Sequence, residues 1–250
     1  MAASINPMNT TLFSEIQRLF ERTYAKVGIN LEDCLIDRQR CGQLSRLAGA
    51  SARELSELAR TFLRKANGQL YIGIYYSRWL IEQLEKNDPR NSLTNTNIVE
   101  LIAFVEEINH ALHAALQFQR GVHAIHSEDF IRNLELQAQV DTYLVLLLFV
   151  GFFRKTQKIS RVDRRWLRFH LFSRHHPQAY ADPNLRGRYL ETNELAEVYT
   201  RCLDALNGAR RVDEIRHFHS LDYSQKKQRI LALMDRRREE DEECETPSPE

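Results

Sequence analysis

The stretch Leu101–Phe118, LIAFVEEINHALHAALQF, reads as one helix that is apolar almost all round, interrupted by Glu106, Glu107 and His110 in the order E-E-x-x-H. At about 100 degrees per residue, the period of an α-helix, Glu106, His110, His113 and Gln117 share one stripe and Glu107 sits on its shoulder. Leu101, Val105, Ile108, Leu112 and Leu116 make the strongest apolar stripe on the opposite side. Ile102, Ala103 and Ala114 flank the polar stripe where lysines and arginines would mark a solvent face, so the spacing predicts a covered cleft. Burying such groups is costly unless they find partners or a metal ion.

Outward from this helix, LELQAQVDTYL belongs to a second long helix, Glu128 to about Phe153, for which Ser127 is the expected N-cap. Glu135, Gln139, Thr142 and Leu146 share a stripe there that turns from polar to apolar, which again predicts cover. On the other side, Leu70, Ile72, Ile74 and Tyr76 alternate with Tyr71, Gly73 and Tyr75, the pattern of a strand. Ser77–Glu85 reads as a short helix, closed by the turn Asn87-Asp88-Pro89, and Asn97 as the cap of the central helix.

Helical spacing dominates elsewhere. Leu12–Tyr24 places Leu12, Phe13, Ile16, Leu19 and Phe20 on one face. A second helix is expected from Ser51, where Ser51 and Glu54 form a capping box, through Leu55, Leu58, Phe62 and Leu63 to Gly68. Helices are also expected over Leu190–Asn207, Val212–Phe218 and Ser224–Arg236, with His217 and His219 flanking Phe218 in a partly buried turn. The mostly acidic segment from Glu239, with Thr246-Pro247-Ser248-Pro249, has the composition of a disordered tail. The fold class is therefore mostly α (α+β), a helical domain with a small β-sheet packed on the E-E-x-x-H helix. Residues 1–238 are expected to form a single compact domain and 239–250 the tail.

Composition excludes some function classes. With 35 basic against 34 acidic residues among 250, the chain has no global field for nucleic acid or membrane. MAASINPMNTT holds neither a basic n-region nor an apolar core, and the longest apolar run, Leu144–Phe153, falls short of the roughly 18 residues of a spanning helix, so cytoplasmic localisation and no membrane are expected. Cys34, Cys41, Cys202 and Cys244 form no C-x-x-C pair and read as free thiols of a reducing compartment.

The strand, the E-E-x-x-H helix and the following glutamate together resemble the plan of the gluzincin-type zinc metallopeptidases, over about residues 69–145. The resemblance implies Glu106, His110 and Glu135 as metal ligands and Glu107 as the general base, with Glu106 standing where the family's first histidine would be. Two carboxylates in the ligand set lower the metal's Lewis acidity and admit manganese or iron beside zinc. A hydrolase or its catalytically degenerate relative follows from that reading.

Two other readings use the same residues. Glu107-x-x-His110 and Glu214-x-x-His217 are both E-x-x-H, the pairs of a ferritin-like di-iron carboxylate bundle, with Glu135 and Glu194 or Glu197 completing it. The third is a non-enzymatic helical scaffold whose polar cluster is structural, with Glu106 or Glu107 paired to an arginine such as Arg132. Its partner would be a protein. The segment Arg154–Arg174, where Trp166, Phe169 and Phe172 are interleaved with arginines, is the one candidate for nucleic acid or an acidic partner, and an amphipathic helix with a solvated basic face is its simpler reading.

Overall fold

The computed structural model describes residues 11–47, 58–154, 159–173 and 181–245. Among them the chain forms α1 (Leu12–Thr23), a 3-10 turn at Leu31–Cys34, α2 (Arg38–Leu47), β1 (Ala59–Ala66), β2 (Gln69–Tyr76), α3 (Arg78–Lys86), α4 (Ile98–Gln119), α5 (Glu128–Arg154), α6 (Arg161–Arg168) with a π-helical turn at Phe169–Ser173, α7 (Pro183–Ala205), α8 (Gly208–Ser220) and α9 (Tyr223–Glu245). The architecture is mostly helical with one antiparallel two-stranded sheet.

α4 is the centre. It is buried nearly throughout, with Leu101, Val105, Ile108 and Ala111 at 0 % exposure, and it packs most heavily on α5. A turn after Gln119 permits the reversal, with Gly121 at a φ of 88°, and Ser127 Oγ accepts from the Phe130 amide to start α5. Asn97 stands at the head of α4 but does not cap it. Its amide group instead donates to the carbonyls of Asn87 and Ser92 at 2.9 and 2.8 Å, tying the preceding turn together. α5 has the length and hydropathy to span a bilayer, beyond what the run Leu144–Phe153 suggests, yet two-thirds of its most apolar window (67%) is buried against other helices.

The segment expected to continue a helix from Ser51 is a strand from Ala59 onward; residues 51–57 of that expectation lie outside the described residues. Asn67 and Gly68 both have positive φ, 51° and 74°, which is the backbone of a two-residue hairpin turn, and Ala66 pairs with Gln69 across it. The turn decides the outcome over the helical spacing of Leu58, Phe62 and Leu63. Ile36 donates to the Ile74 carbonyl at 2.8 Å, extending the edge of β2.

The hairpin lies on α4, as the alternation of β2 and the stripe of α4 predict. Thr61 Oγ1 donates to the Glu107 carbonyl at 3.1 Å and Tyr76 OH to the Phe104 carbonyl at 2.8 Å. Phe13 of α1 meets Phe104 edge-on, centroids 5.9 Å apart, and Phe104 lies 4.7 Å from the Tyr76 ring. On the far side, α7 and α9 pack on α5, and α8 joins α7 through Tyr199 stacked on Phe218 at 3.9 Å.

Three expectations in the C-terminal part change. α7 starts at Pro183, because Asp182 caps it and proline suits the first turn. His217 and His219 lie within α8 rather than in a turn. α9 continues to Glu245, so the acidic segment from Glu239 is helical that far.

Candidate functional site

The E-E-x-x-H residues and Glu135 do come together. His110 Nδ1 lies 3.5 Å from Glu107 Oε2, and its Nε2 lies 3.5 Å from Glu135 Oε2 on α5, without hydrogen-bond geometry in the second case. Tyr189 of α7 donates to Glu135 Oε1 at 3.3 Å. Burial opposes a charge on His110, but the Glu135 and Glu107 carboxylates outweigh it and hold its pKa well above 6.5. Glu106 has the opposite fate: burial pushes its carboxyl up to about 8, against the pull of His110, with Glu135 and Glu107 pushing further. The surroundings thus favour the protonated form of both His110 and Glu106 near neutral pH.

As the side chains stand, no group of three or more His, Cys, Asp or Glu among the described residues is arranged to hold an ion; Nδ1 of His110 faces Glu107, and its Nε2, without a hydrogen-bond partner, faces Glu135. The ferritin-like set is also separated. Glu214 is engaged instead by Arg229 at 2.6 Å and by Tyr199 at 3.1 Å, and it is gathered with no other candidate ligands among the described residues. Arg132 pairs with Glu128 and Glu191 rather than with Glu106 or Glu107.

The basic segment is reorganised as well. Arg164 and Arg168 both pair with Asp204 of α7, Tyr143 OH donates to the same carboxylate at 2.7 Å, and Arg168 lies 5.1 Å above the Tyr143 ring. The buried stripe is Asp163, Leu167 and His170, one residue out of phase with the Val162–Trp166–Phe169 spacing, and Val162 and Phe169 are exposed at 76% and 55%. Asp163 tolerates burial because Ser160 Oγ donates to it at 2.7 Å.

A second polar assembly, centred on Asp141, was not visible in the spacing. Asn109 donates to Asp141 Oδ2 at 2.6 Å, Gln137 to Oδ1 at 3.0 Å, and Tyr24 OH to the same oxygen. Burial raises Asp141 to about 6 despite these three donors. Lys226, at 0 % exposure, donates to Gln137 Oε1 at 2.7 Å and lies 4.9 Å over the Phe218 ring. Tyr24 stacks on His219 at 4.1 Å, and His219 meets His113 edge-on at 4.6 Å. Burial and the nearby Lys226 hold both histidines neutral, His219 at about 3. Asn109 in the middle of an apolar helix and Asp141 before YLVLLLF are the sequence signals that point here.

Asp141 and Tyr24 are also among the residues that line an open apolar groove of about 1070 Å³. Its walls come from α1, the C-terminal half of α5 and α8, through Leu19, Leu144, Leu148, Phe152, Val212 and Ile215. Leu148 and Phe152 are 55% and 75% exposed, although their neighbours Leu146 and Leu147 are buried. No protein-family model matches the chain, nor does any curated protein or solved structure.

Proposed function

We propose that this chain is a non-enzymatic interaction protein, a helical scaffold that presents an apolar groove to a partner. The groove carries the reading. A continuous concave apolar surface of this size, left open between three helices, is unfavourable in water and marks a binding site in proteins generally. The polar assemblies fit the same role, since each joins several helices and fixes how they pack. An apolar reporter dye tests the groove directly. It should bind the native protein with saturable fluorescence, and Phe152→Asp or Leu148→Asp should remove that signal while leaving thermal unfolding unchanged; dye binding untouched by both substitutions overturns the groove.

A zincin-like metal protein, hydrolytic or degenerate, is the second reading, favoured by the meeting of Glu106, His110 and Glu135 on two helices. Metal analysis of purified protein decides it. Near-stoichiometric metal that is lost in both Glu106→Ala and His110→Ala would displace the scaffold reading, and Glu107→Gln would then be the variant to assay for lost hydrolysis.

A further inference from the structure

The groove has the form of a place for one more helix. Leu144, Leu148 and Phe152 recur at i, i+4 and i+8 along α5, so they form one ridge, which lines the groove together with residues of α1 and α8. Ridges of this spacing are the surfaces on which helices pack, and helix-in-groove recognition uses them with apolar anchors at i, i+3, i+4 and i+7. The groove opens to solvent, which suits a ligand with one apolar and one wetted face. A single acyl chain would need closer enclosure to bury most of its surface.

The rim adds a sign. Arg22 of α1 and Arg211 and Arg216 of α8 line the groove, and none of them makes an ion pair among the described residues. Arg216 donates to the Thr23 carbonyl at 2.9 Å, and Arg211 to the Leu203 and Leu206 carbonyls, each at 2.9 Å, bonds that orient the guanidinium groups without cancelling their charge. The acid on the rim, Glu15, already faces Arg90 at 3.7 Å. The lining therefore carries uncompensated positive charge from both α1 and α8.

We infer that the groove binds an amphipathic helix of a partner protein whose polar edges are acidic. This rests on the groove being the binding surface, and the test separates the two. The full-length protein is titrated into fluorescently labelled model helices of about 18 residues, long enough to cover the α5 ridge, with leucine at i, i+3, i+4 and i+7 and either glutamate or lysine on the flanks. The expected result is anisotropy binding at least about tenfold tighter for the glutamate helix at low salt, a preference that narrows as salt rises. Phe152→Ser should weaken both helices, and the double variant Arg22→Glu, Arg216→Glu should invert the preference. Phe152 and Arg22 are exposed, so Phe152→Ser should match the parent in thermal unfolding, while the double variant also loses the Arg216 bond to the Thr23 carbonyl and should unfold slightly earlier but remain folded at the assay temperature.

Equal binding of the two helices would keep the groove and overturn its acidic partner. Dye binding in the groove with neither helix bound would overturn a helical occupant. Binding to vesicles containing anionic lipid, with no helix bound, would make a membrane surface the ligand instead, and self-association abolished by Phe152→Ser would make it a second copy of this chain.

Discussion

Lys226 Nζ donates to Gln137 Oε1 at 2.7 Å, and neither side chain has any exposure. The bond ties α9 to α5 across the core, and through Gln137 it reaches Asp141 and Tyr24. Such a chain of donors fixes helix order, because each helix that shifts strands a buried polar group.

The lysine makes stability depend on pH. Burial lowers its pKa from 10.5 to about 7, against the pull of Asp141. Between those values the unfolded chain holds a proton that the folded chain lacks, so this group makes stability rise with pH across that window. Lys226→Met removes the contribution. Relative to the parent, the variant should lose ground from pH 7 to pH 9, by at most about 1.4 kcal/mol per pH unit. Urea unfolding at both pH values measures this, and equal differences at the two would refute it.

Glu106 acts in the opposite direction. Its folded pKa of about 8 exceeds the ordinary 4.5, so between these values the folded chain holds the extra proton and this group makes stability fall as pH rises. Glu106→Gln keeps the shape of the neutral acid and removes that slope. The variant should therefore gain on the parent between pH 5 and pH 8 in thermal unfolding. A variant that loses stability throughout would show that the ionised carboxylate is held by a partner, as a metal ligand would be.

Gly68 completes the hairpin turn with a φ of 74°, and an added Cβ meets no neighbour within 4 Å. The strain of Gly68→Ala is therefore one of backbone conformation, roughly 1–2 kcal/mol. Chemical denaturation should show that loss, and Asn67→Gly, which relaxes the other left-handed position, should show no comparable loss.

Parts of this arrangement are legible in the residues. The polar stripe of α4 and the position of Glu135 in α5 place His110 against Glu135, because one helical phase on each side suffices. The alternation Leu70, Ile72, Ile74, Tyr76 marks β2 for the same reason. β1 is harder: Phe62 and Leu63 fit a helical face, and only Asn67-Gly68 reveals the turn that pairs Ala59–Ala66 with β2. The phase of α6 is misread because a buried Asp163 replaces an apolar residue, and the local cap that satisfies it, Ser160 three residues earlier, escapes a count of apolar positions. Asp141 shows the limit most clearly. Its donors Tyr24, Asn109 and Gln137 come from three helices, and the first two become neighbours only once α1, α4 and α5 have packed.

Asp204 supplies the sharpest test of how the basic segment is used. It accepts from Arg164, Arg168 and Tyr143, and the side chains of the ion-paired residues are only 13–19% exposed. Asp204→Asn leaves two poorly solvated guanidinium groups without a counter-charge, so it should cost roughly 2–4 kcal/mol. The pair Arg78–Glu82 provides the contrast: at 92% and 52% exposure, Glu82→Gln should change stability by less than about 0.5 kcal/mol. Calorimetry of the two variants at one salt concentration measures both. A small effect at Asp204 would mean that Arg164 and Arg168 reach solvent readily, and the solvated basic face suggested by the composition would then be the correct description of α6.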